Sequence, residues 1–277
     1  VLQHADAAAF DDFQGLLMFQ QQSYHRGLGQ SLFHPGQDGR HAGALQHMGQ
    51  KAGAVVGIDL ADAQLQAFLA RRAPGQNAWS TPRKEADQPH FTSGTVKGKD
   101  GLLYTDGSPI EAVIYNTNTR SSDYDADLPR PGHADLAAYL KYGKDVDLRG
   151  GGHFSGRTTV GIVAAGEICL SALAKKGIRI GTHISECAGI PDRKFENIEN
   201  DIDSLNEKLF AVLDEEQGKK MEEAILLAKS EQDSVGGILE TAITGIPAGI
   251  GEPYFDSIES QLAHFLFSIP AVKGVEF

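Results

Sequence analysis

The chain has 277 residues, of which 41% are hydrophobic and 22% charged, the balance of a water-soluble globular protein with a sizeable core. Its 37 acidic and 25 basic residues leave a formal net charge of -12, which argues against nucleic acid or an anionic membrane as partner, because both demand a basic surface. No run of about 20 apolar residues occurs, and the first residues lack the pattern of a secretory leader, so neither a transmembrane helix nor a cleaved signal is predicted.

Residues 1–50 differ from the rest. They contain no lysine, only Arg26 and Arg40, five of the ten histidines and the run Gln20 to Gln22. Such a break marks an atypical extension, low in complexity or foreign in origin, ahead of a domain over 51–277. Its histidines match no metal-ligand spacing, and no metal site is expected. From Lys51 onward the pattern is that of an ordered mixed domain. Val55, Val56 and Ile58 predict a strand, and Leu65, Phe68 and Leu69 share one face of a helix capped by Asp59 or Asp62. That helix stops at Ala73-Pro74-Gly75, which leaves Arg71 and Arg72 at its C-terminal end. Strand-like alternation follows over Phe91 to Val96 and Ala112 to Tyr115. Helices are predicted over His133 to Tyr142, closed by Gly143, and over Thr158 to Lys176, closed by Gly177. Ile202, Leu205, Leu209, Val212 and Leu213 keep helical spacing, and another helix runs from about Gly218 to Ser230. After Gly236-Gly237 the chain returns to loop and strand. Cys169 and Cys187 form no CxxC pair and fit a reducing compartment, the cytoplasm.

The basic residues cluster unevenly. Arg71, Arg72, Arg83, Arg120, Arg130, Arg149 and Arg157 lie in or beside glycine- and proline-rich connections. A planar guanidinium pairs carboxylate or phosphate, so loop arginines on an acidic protein suggest a small polyanionic ligand; ordinary surface ion pairs are the other account. Three stretches stand out. In Arg130-Pro131-Gly132-His133-Ala134-Asp135, proline and glycine fix the backbone at a helix start and set a histidine, the side chain suited to proton transfer near neutrality, three residues from an arginine. In Arg149 to Thr159, with sequence RGGGHFSGRTT, glycines let backbone amides approach a ligand just before a helix N-terminus, which favours an anion; a flexible turn is the alternative. That stretch satisfies neither the GxxxxGK[ST] nor the GxGxxG pattern. The third pairs Arg71-Arg72-Ala73-Pro74-Gly75-Gln76 with Thr81 to Asp87, which together carry a strong local positive charge.

RRAPGQ at 71–76, TPRKEAD at 81–87, NTNTRSSDY at 116–124, RPGHAD at 130–135 and GGGHFSGRTT at 150–159 occur in one order and spacing. With DSVGGILE at 233–240, GIPAGIGEPYFDSIES at 245–260 and SIPAVKGVEF at 268–277, they resemble chorismate synthases from about Gly53 to Phe277. The resemblance implies an α+β fold, with helices packed between antiparallel sheets, and a homotetramer. It implies conversion of 5-enolpyruvylshikimate 3-phosphate to chorismate by a trans-1,4 elimination of phosphate and a ring proton, with reduced FMN required. By similarity His133 has an acid-base role, and Arg72, Arg83, Arg130 and Arg157 hold the anionic groups of the substrate or the flavin phosphate. His153, Phe154, Ser155 and Arg157 contact the flavin. An external flavin reductase is an implied partner, and NADPH is needed only by bifunctional forms. Residues 1–52 do not reproduce the family's GESHG signature, and the chain stops before its later glycine-rich and RHDPC-type motifs. A truncated enzyme is the expectation, and a non-catalytic remnant that keeps the anion-binding loops is the alternative. Glu167 replaces a small or apolar residue of the family pattern, and Ala78 a basic residue of some members.

Overall fold

Short apolar runs broken by glycine build the first group of strands. The structure is a computed structural model, and it describes residues 46–47, 56–60, 63–80, 87–115, 128, 134–143 and 156–277. Six strands precede the long helices: β1 (Gln46–His47), β2 (Val56–Asp59), β3 (Pro89–Ser93), β4 (Thr95–Lys97), β5 (Leu103–Asp106) and β6 (Glu111–Ile114). They form two antiparallel sheets, in the orders β1-β6-β3 and β2-β5-β4. The single strand predicted over Phe91 to Val96 is cut at Gly94, where φ is 79° and a Cβ would lie 2.5 Å from Ile110 Cα. Only glycine can make that turn, which passes the chain from one sheet to the other. β1 is the described part of residues 1–50, and the rest of the predicted extension lies outside the described residues.

The next elements match their sequence signals. Helix α1 (Ala63–Arg72) buries Leu65 and Leu69 against Ala164, Phe91, Ile114, Val160 and Val163. Helices α2 (Ala134–Tyr142) and α3 (Thr159–Ala174) close on left-handed glycines, Gly143 with φ 70° and Gly177 with φ 79°. After α3, Gly177 N donates to Ala174 O and Ile178 N to Leu173 O, so two carbonyls of the last turn are satisfied by the turn that ends it.

The chain divides into two compact units, residues 1–72, 85–166 and 250–277 in the first and residues 73–84 and 167–249 in the second. The second is built on the antiparallel sheet β8-β7-β9, from β7 (Arg179–Cys187), β8 (Ile190–Pro191) and β9 (Gly237–Thr244). Helix α4 (Ile198–Glu207) lies directly on β7. A Cβ on Gly181 would stand 2.8 Å from Ile202 Cγ1, and Ile202 and Leu205 are fully buried there. Helix α5 (Glu215–Ser230) adds Met221 to a cluster with Cys187 and Val212, packed by Ile184, Ile190, Phe210 and Ile225. Residues 73–80 belong to this unit and dock on α5. Trp79 Nε1 donates to Glu222 Oε1 at 2.9 Å, its ring meets Phe210 edge-on, and Lys229 Nζ donates to Ala78 O at 2.6 Å.

Three helices differ from the sequence expectation. The helix predicted to run on to Leu213 stops at Glu207, with Lys208 extended. Ala211 O instead accepts from Ile184 N at 2.8 Å, so the chain leaves the helix to bond β7. The following helix starts earlier than Gly218, because Asp214 caps it by accepting from Glu216 N and Gln217 N. Helix α6 (Ile258–Leu266), in the first unit, is capped by Ser257, whose Oγ accepts from Ser260 N; this stretch was expected as loop and strand.

Candidate functional site

Arg72 is the one predicted site residue whose side chain is described. It ends α1, and its guanidinium bridges two segments that are remote in sequence. Nη1 donates to Asp87 Oδ2 at 2.5 Å; Nη2 donates to Gly156 O at 3.2 Å and reaches Thr159 Oγ1 at 3.5 Å. Thr159 Oγ1 in turn donates to Gly156 O at 2.6 Å. Gly156 opens a 3-10 turn, Gly156–Thr158, that leads straight into α3, so the guanidinium sits where the glycine-rich stretch becomes helix. The side chains of Arg72 and Asp87 are 19% and 5% exposed. A charge pair with so little access to water is held by its geometry more firmly than an exposed one.

The structure therefore brings the end of RRAPGQ's second arginine together with the last residue of TPRKEAD and the end of GGGHFSGRTT. Arg157 is placed by its backbone in the 3-10 turn. Arg83, Arg130, His133, His153, Phe154 and Ser155 lie outside the described residues; His133 directly precedes α2 in sequence. Asp87 ends TPRKEAD and Thr159 ends GGGHFSGRTT, and neither residue type marks itself in the sequence as a partner of Arg72. Nothing in local periodicity links them to Arg72, at sequence separations of 15 and 87.

In the second unit, two polar clusters are bonded within themselves. His183 is fully buried, with Nδ1 2.7 Å from Asp192 Oδ2, Nε2 2.9 Å from Glu240 Oε2, and Phe195 edge-on to its ring. Arg193 is fastened to Asp201 by Nη2 at 2.7 Å and Nη1 at 3.2 Å. That fork, chiefly, holds the Asp201 carboxyl at about 2, below its ordinary 3.8, with the Glu196 and Asn197 amides adding to it and burial opposing. A carboxyl whose value is lowered by folding stabilises the fold above its unfolded value, and the contribution disappears as pH falls from about 4 toward about 2. Urea midpoints of the unmodified chain and Asp201→Asn should thus differ at neutral pH and converge in that acid window. A difference that persists at the acid end would refute the assignment.

A family model for chorismate synthase matches residues 47–277. The chain belongs to the chorismate synthase family. It is 42% identical over 235 residues to a chorismate synthase of Methanosarcina mazei, covering 82% of this chain and 62% of that protein. It is 44% identical over 227 residues to one of Chitinophaga pinensis, covering 81% and 58%. A chorismate synthase of Pyrococcus abyssi is 44% identical over 223 residues, covering 80% and 60%. Among solved structures, a crystal structure of chorismate synthase superposes with a TM-score of 0.58 at 25% identity, over 79% of this chain and 60% of that one. The chain thus spans about three-fifths of the length of these chorismate synthases. Its α+β architecture, with every described strand pair antiparallel, agrees with that family.

Proposed function

We propose that this chain converts 5-enolpyruvylshikimate 3-phosphate to chorismate and phosphate, a lyase reaction of the shikimate pathway leading to aromatic amino acids. The observation that carries the proposal is the chorismate synthase match across residues 47–277, which includes the glycine-rich segment and the arginine anchored at its end. In the reaction a ring carbon loses its bond to the phosphate oxygen, another ring carbon loses a proton, and a new carbon–carbon double bond takes up the electrons. Such a substrate carries one phosphate and two carboxylates, which suits the loop arginines on an acidic chain.

Arg72, Arg83, Arg130 and Arg157 would hold the anionic groups, and His133 would move the ring proton at its imidazole. The N-terminus of α3, which directly follows the glycine-rich stretch, suits the phosphate of a flavin or of the substrate, while Arg72 orders that entry through Gly156 and Thr159. His153, Phe154, Ser155 and Arg157 would hold FMN there. The chemistry that bound reduced FMN would supply there is a transient electron for loss of the phosphate, with no net oxidation of the substrate. No helix among the described residues is long and apolar enough to cross a membrane. The same proposal includes cytoplasmic location, a homotetramer, and reduced flavin supplied by an external reductase, with NADPH used only if the protein reduces its own flavin. The deciding assay follows chorismate formation anaerobically with chemically reduced FMN and 5-enolpyruvylshikimate 3-phosphate. Product that depends on both is expected, and its absence would overturn the function.

A further inference from the structure

Asp87 occupies an unusual place for a carboxylate. Its side chain is 5% exposed and its backbone has a φ of 47°, in the left-handed region that side chains other than those of asparagine and aspartate rarely enter. It stands at the point where the chain re-enters the first unit, two residues before β3 begins at Pro89. Its Oδ2 accepts from Arg72 Nη1, while Arg72 Nη2 donates to Gly156 O and reaches Thr159 Oγ1. The guanidinium is rigid and planar, so fixing one nitrogen on Asp87 aims the other at Gly156.

Two consequences follow from that geometry. The carboxylate offsets the charge of Arg72, so this arginine contributes less net positive potential than an unpaired one and more positional constraint. The constraint falls on the carbonyl of Gly156, which also accepts from Thr159 Oγ1 and thereby sets how the glycine-rich segment enters α3. Glycine loses more conformational freedom on ordering than any other residue, so fixing a glycine-rich sequence on a ligand costs the more when nothing holds its end. A single external clamp at Gly156 reduces that cost before the ligand arrives.

We propose that Asp87 is a positioning residue: acting through Arg72, it holds the end of the glycine-rich segment at Gly156 and Thr159 in the arrangement that its anionic ligand requires. The proposal rests on the function given above, in which residues 150–159 bind flavin and substrate. Asp87→Asn is the informative variant, because asparagine tolerates the left-handed backbone and keeps an acceptor while removing the charge. A charge-assisted bond is about twice as strong as a neutral one, so affinity is expected to fall by roughly 10-fold.

The test uses the 277-residue chain, with Asp87→Asn, Arg72→Lys and the double variant. Amide hydrogen exchange without ligand should quicken at 156–160 in Asp87→Asn while the amides of β7 and α4 keep their protection. Affinity for 5-enolpyruvylshikimate 3-phosphate with oxidised FMN, read from the flavin spectrum at a temperature where every variant is folded, should fall in each single variant. The double variant should bind no more weakly than Arg72→Lys alone, since both changes break one chain of contacts. Unchanged exchange at 156–160, additive losses in the double variant, or faster exchange with unaltered affinity would each overturn the inference. Failure of the unmodified chain to bind the flavin and substrate would instead overturn the proposed function. It is told apart by the exchange experiment, which needs no ligand.

Discussion

Replacing His133 with alanine is expected to lower the rate of chorismate formation by about 10²- to 10⁴-fold while substrate still binds, the usual cost of removing a general acid or base. The sequence sets the conditions for that role. Arg130-Pro131-Gly132 approaches the histidine along a backbone that proline restricts, and α2 begins at the next residue, Ala134. In sequence, the histidine directly precedes that helix and follows an arginine by three positions, the residue types that a proton transfer beside an anion calls for. Imidazole is also the side chain able to exchange a proton near neutral pH with little driving force lost. The comparison is made on initial rates with chemically reduced FMN under anaerobic conditions, and binding is measured separately with oxidised FMN. Near-normal turnover by His133→Ala would show that the proton moves through another group. A loss confined to affinity would make the residue a binding group only.

The second large effect is on stability. Asp192→Ala should destabilise the second unit by about 3–5 kcal/mol, the range found when one partner of a buried charged network is removed. The carboxylate is completely buried and serves four donors: His183 Nδ1 at 2.7 Å, Leu213 N at 2.6 Å, Asp214 N at 2.8 Å and Arg193 N at 2.9 Å. It therefore ties β7 to the chain after β8 and to the cap residue of α5 at once. Alanine leaves those donors facing each other without an acceptor, whereas Asp192→Asn keeps one carbonyl oxygen and should cost less. Trp79 is the only tryptophan of the chain, packs on Phe210 and bonds Glu222 inside this unit, so its fluorescence in urea reads the transition directly. A midpoint for Asp192→Ala within the error of the unmodified chain would mean that the network contributes nothing net to stability.

Much of the helical framework was legible from residue pattern and punctuation. The arginines at the end of α1, the glycine stops after α2 and α3, and the ordered chorismate synthase motifs are all local features, determined within a few residues of chain. Intrinsic propensity and left-handed glycine operate at that range, which is why these elements stand where they were expected. The candidate site was legible only in part: residue types and order named the arginines and the glycine-rich stretch, but Asp87 and Thr159 gained meaning only when folding brought them to Arg72.

What tertiary structure alone decided has an equally plain cause. Strand β7 hides Gly181, His183 and Cys187, while the residues that look like its apolar face, Ile180 and Ile184, are only half-buried, so alternation carried no signal. A buried histidine is tolerable there because Asp192 and Glu240 reach it from 9 and 57 residues away. Helical spacing continues unbroken from Ile202 to Leu213, with no glycine or proline to stop it. The helix nevertheless ends at Glu207, because Asp192 takes the amides of Leu213 and Asp214 and β7 takes the carbonyl of Ala211. Those partners are distant in sequence and outcompete one more turn of helix, a choice that no window of local sequence contains.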